Sequence, residues 1–361
     1  MKKLISLTLA LMLVFSLATV AMAADVTGNH PADATLTTNT VTIKKNYTKT
    51  GGTAVSPNET FNFTITPGTV VNGGVDPTTG NVITTSPTAT IGSVHYDQGE
   101  AGSTTATKSI TVHLPAYSAV GVYSYTVKET AGNNAGVNYH SGDIVLKITV
   151  VQDATGKLVY GAVHCENPAD VGNKEGKKTD TFTNNYAAGT LAVSKVVSGN
   201  LGDQGKEFSV TVEFEAPKND DGTYKAVGAN ITTSSASAKS VTVETSDWSN
   251  GKASKTFTLQ HSQTVTFTNI PYGVTYKVTE TPTDDYTEKV THNGGTQAAG
   301  NTATATICAD LTAATVAFEN YKNADVDTGI TLDSLPFVLI LAVCAGAVVL
   351  FVIKRRNSVE F

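Results

Sequence analysis

Two lysines occupy strand faces that are otherwise apolar. In Val41-Thr42-Ile43-Lys44-Lys45-Asn46-Tyr47, alternation with period two puts Val41, Ile43, Lys45 and Tyr47 on one face. In Leu191-Ala192-Val193-Ser194-Lys195-Val196-Val197, the same alternation joins Leu191, Val193, Lys195 and Val197. Lys44 falls on the solvent face. An ammonium buried without a partner is costly and tends to lose its proton. Each lysine is followed by a carboxylate that ends an apolar row: Glu129 in Tyr125-Thr126-Val127-Lys128-Glu129-Thr130, and Glu280 in Tyr276-Lys277-Val278-Thr279-Glu280-Thr281. Each is then followed by an asparagine two residues after a phenylalanine: Asn184 in Phe182-Thr183-Asn184-Asn185-Tyr186, and Asn320 in Phe318-Glu319-Asn320-Tyr321.

Such a trio, converging in an apolar core, has a reaction open to it. A neutral ε-amine is a nucleophile and a carboxamide carbon is an electrophile; their condensation gives an isopeptide bond and expels ammonia. The carboxyl group moves the protons and polarises the carbonyl. Burial raises a Glu pKa and lowers a Lys pKa by up to about 3–5 units, toward the protonation states required. Effective molarities on the order of 10⁵ M or more supply the rate that positioning alone can give. The plainer alternative is structural: the lysines reach a rim and simply pair with the glutamates.

The spacing shows one pattern written twice. Lys45 to Glu129 is 84 residues and Lys195 to Glu280 is 85, while Glu129 to Asn184 is 55 against 40 for Glu280 to Asn320. An aromatic strand follows each lysine, Phe61-Asn62-Phe63-Thr64-Ile65 and Phe208-Ser209-Val210-Thr211-Val212. Asn72-Gly73-Gly74 and Asn219-Asp220-Asp221-Gly222 mark turns. The 58 threonines among 361 residues favour strands over helices. The expectation is an all-β chain of two tandem β-sandwiches with Ig-like or Greek-key topology, spanning 24–187 and 188–325. In such sandwiches the first and last strands can be neighbours, which would bring each lysine to its asparagine.

The two ends read differently. Met1 to Ala23 has a basic start at Lys2 and Lys3, an apolar run, and Ala21-Met22-Ala23 as a cleavage site, the pattern of a secretory signal peptide. Leu335 to Ile353 is long enough to span a bilayer, and Lys354-Arg355-Arg356 would keep its end cytoplasmic. Of the formal net charge of −6, the signal carries +2 and the stretch from Gly329 to Phe361 carries +1, leaving −9 between them. An acidic body argues against nucleic acid as a partner. The three cysteines exclude a disulfide scaffold; a pairing of Cys165 with Cys308 stays open.

Val326-Asp327-Thr328-Gly329, then the apolar run, then the basic tail resembles the three-part sorting signal of Gram-positive surface proteins. A sortase would cut between Thr328 and Gly329 and pass the Thr328 carbonyl to an amine. The usual proline is replaced by Asp327, which leaves the class of sortase open.

The repeated Lys/Glu/Asn trio, the Tyr-x-Val-x-Glu-Thr box and the closing Phe-x-Asn resemble Gram-positive major pilins, whose domains carry internal isopeptide bonds. The resemblance covers nearly the whole mature chain. It implies a backbone subunit of a covalently polymerised pilus on the cell wall, with sortase and identical subunits as partners and with minor pilins and host-surface ligands as further ones. It implies Lys45–Asn184 and Lys195–Asn320 as the bonded pairs, with Glu129 and Glu280 as the catalytic carboxyls. Asn185, next to Asn184, leaves the first acceptor open. The resemblance also implies a linking lysine ahead of the first asparagine; Lys177 is the candidate, with Lys178 and Lys174 as rivals.

No cofactor or metal is expected, and no enzyme beyond self-crosslinking. The seven histidines form no H-E-x-x-H, and no G-x-S-x-G, P-loop or G-x-G-x-x-G is present. Glu129 and Glu280 belong to separate copies, which argues against a glycosidase carboxylate pair. No glutamine motif near Cys165 suits a thioester domain. A second reading is a monomeric wall-anchored adhesin that uses the same domains as a stalk. It fits less well, because only about 20 residues separate Ala23 from the first lysine strand.

Overall fold

The structure is a computed structural model that describes residues 40–169, 179–235, 241–324 and 335–357. In the first half, β1 (Thr40–Thr50), β2 (Glu59–Val71), β3 (Thr90–Ile91), β4 (Val94–Tyr96), β5 (Thr107–His113), β6 (Gly121–Thr130), β7 (Val137–Asn138), β8 (Ile144–Gln152) and β9 (Leu158–Glu166) lead into the long β10 (Thr181–Ser198). The second half continues with β11 (Phe208–Glu215), β12 (Thr232–Ser235), β13 (Lys252–Leu259), β14 (Thr264–Pro271), β15 (Thr275–Glu280), β16 (Thr287–His292), β17 (Ala298–Ala299), β18 (Thr302–Thr306) and β19 (Ala313–Tyr321). Helix α1 (Leu335–Asn357) closes the described chain.

Two sandwiches result, each with its own core. In the first, the sheet β4-β2-β6-β8-β9 faces β3-β5-β1-β10, and in the second β13-β11-β15-β18 faces β14-β10-β19-β16-β17. Period-two sequence becomes period-two burial: in β1, Val41, Ile43, Lys45 and Tyr47 are buried while their neighbours are half exposed. The sandwich expectation agrees with this architecture.

β10 serves both cores. Phe182, Asn184, Tyr186 and Ala188 point into the first sandwich, and Leu191, Val193, Lys195 and Val197 into the second. The buried set passes from even to odd numbers around Gly189, where the ladder to β14 shifts register. A one-residue slip turns every later side chain to the other face. Gly189 permits it: a Cβ there would lie 2.5 Å from the Thr312 carbonyl oxygen and 2.7 Å from Ile307 Cγ2. The division expected after Ala187 thus lies inside one continuous strand.

Asn269 ties the sandwiches together. Its φ of 62° is left-handed, a conformation Asn tolerates better than most residues. Its Oδ1 accepts the Val55 amide at 2.9 Å and the Tyr186 hydroxyl at 3.0 Å, both from the first sandwich. Its Nδ2 donates to the Asn230 carbonyl at 3.0 Å. Cys165 is buried, Cys308 is half-buried, and both are free thiols in different sandwiches, so they do not pair.

Candidate functional site

The first and last strands of each sandwich lie side by side and parallel. In the first, Lys45 is opposite Phe182 and Tyr47 opposite Asn184. In the second, Lys195 is opposite Phe318 and Val197 opposite Asn320. The lysine therefore stands two residues ahead of the position opposite its asparagine in both, and on the same inward face. All four side chains are fully buried.

In the first sandwich the three groups are in contact. Lys45 Nζ is 2.6 Å from Glu129 Oε2, with neither side chain exposed. The other carboxylate oxygen, Oε1, accepts a short hydrogen bond from Asn184 Nδ2. Asn184 Oδ1 in turn accepts the His140 backbone amide at 2.8 Å. One carboxylate therefore touches both the lysine and the asparagine side-chain nitrogens. The neighbour Asn185 faces the other way, bonded to Thr48 and Thr50. Lys44 lies outside the site and pairs with Asp180 at 3.2 Å.

In the second sandwich Glu280 holds Lys195 with both oxygens, at 2.9 and 2.7 Å. The Asn320 amide is buried close enough to help hold Glu280 ionised, yet its Oδ1 and Nδ2 make no hydrogen bond.

Burial sets the proton affinities. It pulls the Lys45 ammonium down to about 8, against the opposing pull of Glu129. Burial lowers Lys195 against Glu280, and raises Glu280 against Lys195 and Asn320. In the second sandwich both groups are thereby moved toward neutral amine and neutral acid, and in the first the amine is moved toward neutral.

Several residues of the site were given no role in it by the sequence pattern. Lys45 Nζ sits 4.4 Å above the Phe61 ring and Lys195 Nζ 4.2 Å above Phe208, so the two aromatic strands cap the two amines. The repetition of a Phe-led strand after each lysine was the available clue. Glu59 is a second buried carboxyl near Lys45 and Glu129; burial raises its pKa, opposed by a short hydrogen bond from the Tyr139 hydroxyl. The second repeat has no counterpart that would have flagged it.

Lys174, Lys177, Lys178, Thr328, Gly329 and the signal segment lie outside the described residues. Helix α1 carries Lys354, Arg355 and Arg356 in its last turn, and its apolar side chains are exposed, as suits a membrane tail.

Residues 41–187 match the model of the Spy0128-like isopeptide containing domain, and residues 189–322 match a domain of unknown function. A pilin of Streptococcus pyogenes serotype M1 is 30% identical over 333 residues, 88% of this chain and 91% of that protein. The pilus tip adhesin Cpa of Streptococcus pyogenes is 34% identical over 145 residues, 40% of this chain but 18% of that protein. The crystal structure of the major pilin from Streptococcus pyogenes superposes with a TM-score of 0.50 at 25% identity, covering 79% of this chain and 99% of that one.

Proposed function

Because the chain belongs to the Gram-positive pilins, and is a structural subunit of a surface-displayed pilus, we propose that each of its sandwiches locks itself with one isopeptide bond, Lys45–Asn184 by way of Glu129 and Lys195–Asn320 by way of Glu280. The observation that carries this reading is the shared register: each lysine stands two residues ahead of its asparagine's partner, across a parallel pair, with a buried carboxyl on its amine. No other catalysis is assigned to the chain.

The rest of the proposal concerns assembly. Sortase cleaves between Thr328 and Gly329, the apolar helix having held the precursor in the membrane after a signal peptide exported it. The Thr328 acyl group then passes to a lysine of the next subunit, Lys177 first among the candidates, and finally to the wall. Head-to-tail joining of this kind need not close, so it runs on as a filament. With both bonds made, the covalent route from Lys45 to Asn320 uses only the stretch of β10 between Asn184 and Lys195, so pulling cannot draw the sandwiches out. The shaft is favoured over the adhesin stalk because the likeness to the pilin covers 91% of that protein and the likeness to the tip adhesin only 18%.

The test is the mass of the recombinant, folded segment from Ala24 to Thr328. Two condensations remove two ammonia molecules, about 34 Da in all. The full sequence mass in folded protein would overturn the reading, and a loss of about 17 Da would confine it to one sandwich.

A further inference from the structure

The two sandwiches differ at both polar atoms of the asparagine amide, and the difference at Oδ1 is the one their glutamates do not make. Asn184 Oδ1 accepts the His140 amide at 2.8 Å, whereas Asn320 Oδ1 has no hydrogen-bond partner among the described residues. We propose that the His140 backbone N–H is an oxyanion donor for bond formation in the first sandwich, so that this bond forms faster than the one in the second. The inference rests on the proposed isopeptide chemistry.

In that chemistry a Lys45 proton passes to Glu129 Oε2, and the freed lone pair forms the Nζ–Cγ bond. The carbonyl π pair moves onto Oδ1, where the His140 N–H meets the new negative charge. Glu129 then gives that acid proton to Nδ2 and takes a second one from Nζ, while the Oδ1 pair re-forms the carbonyl. The Cγ–Nδ2 bond breaks, ammonia leaves, and the carboxyl is left protonated until ammonia or water takes that proton. The charge that develops on Oδ1 is the one feature Glu129 cannot serve, since both its oxygens are on nitrogens. A donor at 2.8 Å lies within the range that stabilises such a charge without reorganisation.

The donor is held from several sides. β7 pairs with β10 only at Val137 and Asn138, opposite Tyr186 and Asn185, and the chain then leaves the ladder. Past that departure the His140 amide points inward, onto Asn184 Oδ1. The Tyr139 hydroxyl is bonded to Glu59 and to the Asn134 amide, and the His140 ring packs edge-on to Phe182 at 5.0 Å. Gly136, at φ 77°, starts the segment where a Cβ would lie 2.7 Å from the Ala187 carbonyl oxygen. In the second sandwich the corresponding strand, β16, stays paired with β19 for six residues, with Glu288 opposite Asn320. Its backbone remains in the ladder, and among the described residues no donor reaches Oδ1.

The experiment uses the full mature chain, produced unfolded, refolded and quenched at intervals, with both crosslinked peptide pairs quantified by mass. In the wild type the Lys45–Asn184 pair is expected to form ahead of the Lys195–Asn320 pair. At position 140 an ester unit (the α-hydroxy analogue of phenylalanine) is compared with H140F, so that the two chains have the same side chains and differ only in the 139–140 linkage, which in the ester has no N–H. The ester is expected to slow the first bond on the order of 10²-fold, the cost of one oxyanion donor, while the second bond keeps time within the same molecule. Equal first-bond rates in the ester and in H140F would overturn the inference, and so would a second bond that forms first in the wild type. Absence of both crosslinks in folded wild type would overturn the parent reading instead.

Discussion

Lys45 Nζ and Glu129 Oε2 lie 2.6 Å apart with no solvent access to either side chain. A buried ion pair of this kind is poor evidence for stability, since desolvation offsets its attraction. Its geometry suits chemistry better, because the carboxylate's second oxygen is already on the leaving nitrogen of Asn184.

Replacing Glu129 by Gln keeps the shape and removes the proton shuttle. The first sandwich is then expected to keep its ammonia while the second still loses one, and Glu280→Gln is expected to do the reverse. Each bond closes a loop of more than a hundred residues, worth roughly 5 kcal/mol in the chain-entropy picture of a cross-link. Its loss should lower the melting temperature of that sandwich by on the order of 10–20 °C. Loss of both ammonias in either variant, read by intact mass, would remove that glutamate from the mechanism.

Asn269 makes a separate prediction about the joint. Asn269→Gly keeps the left-handed backbone accessible but removes the acceptor of the Val55 amide and the Tyr186 hydroxyl. Two such bonds are worth about 1–3 kcal/mol together. Faster hydrogen exchange at Val55 is expected, with both crosslink masses unchanged. Unaltered protection at Val55 would show that the joint is held elsewhere.

Much of the site was legible because strands alternate. Lys45 and Lys195 on buried faces, Glu129 and Glu280 ending apolar rows, and Asn184 and Asn320 in phase with Phe182 and Phe318 all follow from a period of two. The parallel register did not follow, because it depends on which strands become neighbours. Nor did the sharing of β10, which turns on a slip of one residue at Gly189. Glu59 and Tyr139 meet only through the fold. The His140 N–H has no residue-type signature at all, since every non-proline residue carries one.

Assembly can be checked in cells. In a strain expressing the pilus sortase, Lys177→Ala is expected to collapse the SDS-resistant ladder to monomer, and tryptic peptides of wild-type polymer should join Thr328 to the lysine side chain. A ladder unchanged in Lys177→Ala would move the link to Lys178 or Lys174. Wild-type protein wholly wall-bound as monomer would favour the adhesin stalk.

The pH dependence of the first bond tests the proton count. The reacting pair, neutral amine with neutral acid, holds one proton, as does the ion pair from which it forms. The rate is therefore insensitive to pH while the pair keeps that proton and falls once it is lost. Burial brings Lys45 down to about 8, so the loss begins there rather than near the ordinary 10.5. Above that pH no acid remains to protonate the leaving nitrogen, and the rate should drop about tenfold per unit. Refolding between neutral pH and pH ~10, with the Lys45–Asn184 peptide quantified over time, reads this limb directly. A rate that instead rises through pH ~8 would mean that Glu129 acts only as a base and that the leaving group takes its proton from water. A plateau that extends to the ordinary lysine range would mean that Lys45 is not desolvated before it reacts.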